Sequence, residues 1–263
     1  MKIASWNVNS VKTRLPNLLT WLEAEKPDVV CLQELKCVDE AFPRDEIEAQ
    51  GYNIETFGQK TYNGVALLSR HPLEDITRGL PHFDDDQSRY IEAVISTEGG
   101  AVRVASLYLP NGNPTEGGES EKYRYKLDWM AAFTAHVETL LAYEEPLVLA
   151  GDYNVIPTAA DVHNPENWEE DALYRHSTRA AFRALLYMGL TDAVAALAET
   201  GADTYTFWDY QGGAWRKNNG LRIDHHLLSP LAADRLTAFG IDKHTRGWEK
   251  PSDHVPVWVE LDV

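Results

Sequence analysis

Pro146-Leu147-Val148-Leu149-Ala150-Gly151-Asp152-Tyr153-Asn154 is the stretch on which the reading of this chain turns. An apolar run of strand length stops at Gly151, and a carboxylate and an amide follow at once, so a buried strand delivers Asp152 and Asn154 together at its end. In α/β proteins the carboxyl ends of strands line the ligand crevice, and a polar pair launched there can meet a ligand as well as cap a turn. The pattern recurs at Ile3-Ala4-Ser5-Trp6-Asn7, Val29-Val30-Cys31-Leu32-Gln33-Glu34, Arg222-Ile223-Asp224-His225 and Lys250-Pro251-Ser252-Asp253-His254. Carboxylates and amides thus gather wherever strand-like runs begin or end.

Such a set suits a hard divalent cation, which takes oxygen ligands, commonly one or two carboxylates completed by substrate phosphate and water. Glu34, Asn7, Asp152 and Asp253 are the candidates, for Mg2+ with Mn2+ as its substitute. Zinc is disfavoured: there is no HExxH or CxxC spacing, and the two cysteines, Cys31 and Cys37, are too few for a structural site.

With 263 residues, 44% apolar and 25% charged, the chain can bury a sizeable core, and no linker or low-complexity stretch divides it, so a single domain over 1–263 is expected. The N-terminus enters a strand pattern without the apolar stretch of a signal peptide, no run reaches membrane-spanning length, and the cysteines form no framework; these point to a cytoplasmic globular protein. A net charge of −17 argues against a nucleic-acid ligand, which usually leaves a basic footprint. Binding depends on one face, however, and cations concentrate at Lys122-Tyr123-Arg124-Tyr125-Lys126 and at Arg216-Lys217 with Arg222, while Asp84-Asp85-Asp86 places acid elsewhere.

Strand and helix patterns alternate along the chain. Strands are expected at 2–8, 28–33, 52–57, 64–70, 90–96, 102–109, 147–151, 204–207, 222–228 and 256–261, and helices near 13–25, 43–50, 119–143 and 178–188. Pro110-Asn111-Gly112-Asn113-Pro114 and Gly117-Gly118 read as loops. Hairpin-like short strands mixed with helical crossovers argue for paired mixed sheets over one parallel sheet.

Laid side by side, seven ordered segments resemble the exonuclease III family within the endonuclease/exonuclease/phosphatase superfamily: Ser5-Trp6-Asn7-Val8-Asn9, Leu32-Gln33-Glu34, Asn63-Gly64-Val65-Ala66-Leu67-Leu68, Tyr108-Leu109-Pro110-Asn111, Gly151 to Asn154, Gly220-Leu221-Arg222-Ile223-Asp224 and Lys250 to His254. The resemblance covers essentially the whole chain and implies a four-layered α/β sandwich, two stacked mixed β-sheets flanked by helices, with the site at one end. It implies Glu34 as principal metal ligand with Asn7 beside it and Asp253 in or near the metal site. Asp152 would orient or deprotonate the attacking water, or act as acid toward the leaving group; Asn154 would hold substrate or water. His254 would contact phosphate with Asp224 as its carboxylate partner, and Tyr108, Asn111 and Arg89 would add phosphate or backbone contacts. The segments Tyr205 to Tyr210 and Asn219 to Asp224 resemble the part that forms the pocket for a flipped-out abasic sugar, with Phe207, Leu221 and Ile223 as the pocket residues and Trp208 and Arg222 as further substrate contacts, selected by shape and by the low cost of extruding a damaged site. Lys122, Arg124 and Lys126 would serve the DNA backbone.

His225 and His226 are adjacent on a strand and so point to opposite sides, which keeps them from converging on one ion. Asn113-Pro114 departs from relatives that carry an arginine reaching into DNA there. The leading expectation is a Mg2+-dependent DNA-repair nuclease, acting as a monomer on duplex DNA, that cuts 5′ to abasic sites and trims or cleans 3′ ends. A phosphatase of a small phosphoester, such as an inositol phosphate, would use the same site chemistry and suit the −17 charge better. A catalytically silent binding module would have no need of the complete polar set.

Overall fold

A computed structural model describes residues 1–115 and 120–263 of the chain. The expected Gly117-Gly118 loop and the first residue of the expected 119–143 helix lie outside the described residues. Strands β1 (Lys2–Asn7), β2 (Val29–Gln33), β3 (Asn53–Phe57) and β4 (Val65–Ser69) come first, then β5 (Leu73–Arg78), β6 (Tyr90–Thr97), β7 (Gly100–Tyr108) and β8 (Leu147–Asp152), and last β9 (Thr191–Asp192), β10 (Asp224–Leu228), β11 (Leu236–Ile241) and β12 (Val257–Leu261). Helices are α1 (Val11–Glu25), α2 (Arg44–Glu48), α3 (Glu121–Leu141), α4 (His176–Tyr187), α5 (Ala193–Leu197), α6 (Ala214–Lys217) and α7 (Pro230–Ala233). The strands form two mixed six-stranded sheets, ordered β11-β12-β1-β2-β4-β3 and β5-β6-β7-β8-β10-β9.

The period-two alternation of each strand assigns its residues to layers. Ile3, Val29, Cys31, Val65 and Leu67 of the first sheet meet Ile91, Val104, Val148 and Ala150 of the second in one cluster between the sheets. The intervening residues Ala4, Trp6, Val30, Leu32 and Leu68 pack outward on Leu18, Trp21 and Leu22 of α1. On the other side Leu107, Leu149 and Leu227 pack on Trp129, Phe133 and Val137 of α3 and on Phe182 and Leu185 of α4. The result is the four-layered sandwich. Ser10 caps α1 by accepting from the Thr13 amide, and Ser120 caps α3 by accepting from the Tyr123 amide, 3.1 Å.

Two pairings fix where the strands end. β1 lies parallel to β2 and β7 parallel to β8, so four carboxyl ends open at the same edge of the sandwich. β10 runs antiparallel to β8 with Asp224 opposite Asp152, and it contributes its first residue there. Continuing the inward-facing rows places Asn7 after Ile3 and Ser5, Tyr108 after Val104 and Ser106, and Asp152 after Val148 and Ala150. The row just beneath is polar too: Gln33 accepts from the Ser5 hydroxyl and donates to the Ser106 hydroxyl at 3.1 Å, linking the two sheets.

One expected strand needs correction, and β5, β9 and β11 were not foreseen. No strand forms at 204–207; Phe207 makes only isolated bridges to Leu221 and His254. β5 and β11 went unread because both are edge strands with much exposed surface, each interrupted by a register irregularity, and neither carries the two-faced apolar pattern of a buried strand.

Gly151 shows how close the second sheet packs at the site end. A Cβ at this position would overlap the Leu107 carbonyl, so only glycine allows β8 to sit beside β7 immediately before Asp152. Gly151→Ala is expected to cost about 3 kcal/mol or more through overpacking, read as a lowered midpoint in thermal melts; an unchanged Tm would contradict this account of the β7–β8 approach.

Candidate active site

Three groups at the shared strand ends form the centre. Glu34, Asp152 and His254 each offer an atom within 4.8 Å of the others. Glu34 follows β2 with φ 54, a left-handed conformation that turns the chain off the strand and aims the carboxylate across the sheet edge, at a cost of about 1–2 kcal/mol for a residue with a Cβ. Asn7 Nδ2 donates to both carboxylates, 2.8 Å to Glu34 and 2.9 Å to Asp152, and so joins the two sheets at the site. Lys36 Nζ sits 2.8 Å from the other Glu34 oxygen and 2.6 Å from Asn9 Oδ1.

The histidine side is built from loops. Ser252 donates to the Asn7 carbonyl at 2.7 Å and accepts from the His254 amide, which fastens the 251–254 segment to the end of β1. His254 Nδ1 donates to Asp224 at 2.9 Å, and Thr206 Oγ1 donates to the same carboxylate at 2.6 Å. With Nδ1 engaged, Nε2 faces Asp152 at 3.6 Å. The Phe207 ring closes on the imidazole edge-on, centroids 4.9 Å apart.

Asn154, with φ 48, turns back so that its amide donates to Asp152 Oδ1 at 2.9 Å, while its side chain donates to the Leu109 carbonyl and accepts from Asn111 Nδ2, both at 3.0 Å. Tyr108 lies at the end of β7 facing the Glu34 and Asp152 carboxylates; Arg89 stacks over its ring at 4.8 Å and donates to its carbonyl.

Burial and like charge define the electrostatics. Burial raises the Asp152 carboxyl well above the usual carboxylate range, with Asp224 and Glu34 adding to the rise and His254 and the Asn7 hydrogen bond opposing it. Burial also works against a charged His254 ring, but Asp224 and Asp152 outweigh it and lift the ring to about 10. Burial opposes the charge on Glu34 as well, and Lys36 with Asn7 holds it below its ordinary value. The site therefore carries a protonated imidazole beside two carboxylates of unequal basicity.

A family model described as the endonuclease/exonuclease/phosphatase family matches residues 4–254. The chain belongs to that family. Exodeoxyribonuclease III of Haemophilus influenzae is 35% identical over 99% of this chain and its own full length. Among solved structures, the 3′-5′ exonuclease NExo from Neisseria meningitidis superposes with a TM-score of 0.94 at 41% identity, and an AP endonuclease from Archaeoglobus fulgidus with 0.94 at 34%, each over the whole of both chains. NExo has also been solved as a 3′ phosphatase bound to a product DNA hairpin, 40% identical to this chain. These are metal-dependent enzymes as a family, and the oxygen donors here fit such an ion: two carboxylates, Glu34 and Asp152, drawn together by Asn7. Among the described residues no helix is long and apolar enough to cross a membrane.

Within this family frame several sequence expectations change. Asn7 presents its N–H groups, not an oxygen, to the carboxylates, so it enters as a bridge between them. Asp253 stands apart from the cluster of three, accepting from Asn9 Nδ2 at 3.0 Å and from Ser252. Arg222 does not face solvent: it is 3% exposed and clasped by Asp161 at 2.6 Å and Asp192 at 2.7 Å, with His225 Nδ1 at 3.1 Å. Trp208 is fully buried against Ala214 and Val255, and its indole N–H goes to Asn218. Leu221 and Ile223 are 3% and 2% exposed in a cluster with Ile156, Val162 and Leu173, so of the expected sugar pocket Phe207 alone keeps appreciable surface. Lys126 is buried; Lys122 and Arg124, on the other faces of α3, remain exposed.

His225 and His226 do point opposite ways. His225 bonds the Val155 carbonyl at 2.9 Å, and His226, fully buried, is pushed down to about 4 by burial. Sequence reasoning missed Lys36, Asn9 and Thr206. Lys36 and Asn9 left a signal, each two positions after a candidate residue, Glu34 and Asn7; Thr206 reaches Asp224 across 18 residues and no local pattern announces it.

Two predictions follow from these charges. His254, raised in the folded protein above its unfolded value of 6.5, contributes stability that is complete below pH 6.5 and fades as pH climbs toward about 10. NMR should show the ring still protonated at neutral pH, and Asp224→Asn should move its titration downward and flatten the alkaline decline in Tm; an ordinary titration in the unmodified protein contradicts this. Arg222→Leu strands two buried aspartates and should cost about 3–5 kcal/mol in chemical denaturation; an unchanged denaturation midpoint would return Arg222 to the ligand face.

Proposed function

We propose that this chain is a metal-dependent DNA-repair phosphodiesterase of the exonuclease III type, working as one catalytic domain and as a monomer on duplex DNA, with Mg2+ as its ion and Mn2+ as a substitute. The reading covers 3′→5′ exonuclease action, removal of 3′ blocking groups including phosphate, and incision 5′ to abasic sites. The observation that carries it is the joining of Glu34, Asp152 and the Asp224-supported His254 at one strand edge, in a chain whose full-length relatives act on DNA ends and abasic sites.

Glu34 would hold the metal, with Asp152 next to it; when bound, the ion supplies charge neutralisation at the phosphate and a lowered barrier for the departing oxygen. His254, held protonated by Asp224, would donate from Nε2 to a phosphate oxygen, where a fixed donor is worth more than in water. Asp152, whose raised basicity suits proton transfer near neutral pH, would take the proton of the attacking water or return one to the leaving oxygen. Asn154 and Asn111 would position the water or the phosphate, and Tyr108 would place its hydroxyl against the same phosphate with Arg89 holding its ring. The exposed Lys122 and Arg124 would contact the DNA backbone.

Processing of 3′ ends has the better support of the two branches. Its support is the higher identity to the Neisseria 3′-5′ exonuclease and 3′ phosphatase, 41% and 40%, against 34% to the AP endonuclease. The test uses duplexes labelled at the 5′ end that carry either a 3′-phosphate or an internal abasic analogue, with Mg2+, with EDTA, and with Asp152→Asn. Metal-dependent loss of the 3′-phosphate or a ladder shortening from the 3′ end, reduced at least about 100-fold by Asp152→Asn, is expected, with slower incision at the abasic site. Intact DNA beside an active small-phosphoester assay would overturn the DNA reading.

A further inference from the structure

We propose that Lys126 is a positioning residue, a buried strap that holds the Asn111 loop and the Asn154 turn at one separation and through them fixes the Asp152 carboxylate. Its Nζ donates to the Asn154 carbonyl at 2.6 Å and to the Asn111 carbonyl at 3.1 Å. These are the two segments whose side chains already touch through Asn111 Nδ2 and Asn154 Oδ1, and the Asn154 amide in turn donates to Asp152 Oδ1. One amine thus ties the main chain on both sides of a contact that ends at the reacting carboxylate.

The sequence alone suggests a solvated cation on a helix, and nothing in the packing needs an amine here. Lys126 is 0% exposed, on the helix face that also carries Tyr123, Trp129 and Met130, and among the described residues no carboxylate pairs with it. Burial lowers its pKa to about 7, against the pull of Asp152 and Asp171. Burying an amine without a counter-ion is unfavourable, and a methionine or leucine would pack at less cost, so its presence points to its two acceptors. The loop is also shaped to the lysine stem. Gly112, at φ 89, lies so close that a Cβ there would come within 2.7 Å of Lys126 Cδ. The chain between Leu109 and Asn113 is draped over this side chain.

The inference rests on the phosphoester reading for its kinetic arm and is independent of it for its structural arm. Hydrogen exchange followed by mass spectrometry compares the wild-type protein with Lys126→Met, a variant of similar length that packs but cannot donate. Exchange should rise by about tenfold or more in peptides spanning 107–115 and 152–156 and stay unchanged in the central strands, with Tm equal or higher. On a duplex with a 3′-phosphate, kcat should fall at least about tenfold with KM within about twofold, and in an Asn154→Ala background the same substitution should cost under about threefold. A role in general stability predicts the reverse: lowered Tm, exchange rising everywhere and additive losses, and that result overturns the proposal. Unchanged exchange in the two peptides also overturns it. If the wild type leaves every DNA substrate intact, the substrate reading fails while the exchange data still decide the strap. Should Lys126→Met not fold, Lys126→Gln, which keeps N–H groups for one carbonyl, is expected to show intermediate exchange in the same two peptides; exchange as slow as in the wild type overturns the strap.

Discussion

Three carboxylates, Glu34, Asp152 and Asp224, are brought to one end of the sandwich, two of them essentially without solvent. Like charges at such separation cannot all remain ionised unless opposite charge or hydrogen-bond donors stand between them. Much of the site follows from meeting that constraint: His254 lies between Asp224 and Asp152, the Asn7 amide spans Asp152 and Glu34, and Lys36 covers the outer Glu34 oxygen. Burial still holds the Asp152 carboxyl raised, with Asp224 and Glu34 adding to the rise. Carboxylates gathered this closely are what a divalent cation would neutralise, so the cluster and the family's metal dependence point the same way.

Register turns this chemistry into geometry. Each strand alternates its side chains strictly, so an inward polar residue at the last position is fixed by the apolar residues two and four places before it. That is why the carboxylate and amide positions were legible from sequence: Asn7, Asp152 and Asp224 stand at the ends of rows whose other members are core residues. The layer architecture was legible for the same reason. What escaped were facts about the third dimension. Lys126 and Arg222 carry the residue type of a DNA-facing cation, yet one is anchored by two main-chain carbonyls and the other by two aspartates, partners 15 to 61 residues away. Residue type fixes what a side chain can do, and burial decides to whom it does it.

The net charge of −17 is reconciled with a polyanionic ligand by distribution. Arg14 stands on the Asn9 and Tyr210 side of the site, and Lys122 and Arg124 stand exposed at the start of α3. Some carboxylates hold cations of their own: Glu25 pairs with Lys2, Glu55 with Arg78, Asp75 with Arg103 and Asp161 with Arg222. Because exposed charges interact weakly beyond about 8 Å at physiological salt, the ligand responds to the cations along its path more than to the sum over the molecule.

The site is therefore assembled from halves of different stiffness. Asn7, Tyr108, Asp152 and Asp224 sit on paired strands, and displacing one means breaking a ladder. His254 and Phe207 belong to connections joined by isolated bridges, Phe207 to Leu221 and Phe207 to His254, with the Trp6 indole donating to the His254 carbonyl. These connections are kept in place by close packing: a Cβ at Gly220 would collide with Tyr205 and with the Trp208 indole, which fixes how near the 205–208 segment runs to the start of β10. The aromatic run that reads as a strand is thus a buttress. Its Phe207 ring closes on the imidazole edge-on while the sheets hold the carboxylates, and His254 Nε2 meets Asp152 at 3.6 Å where the two halves join.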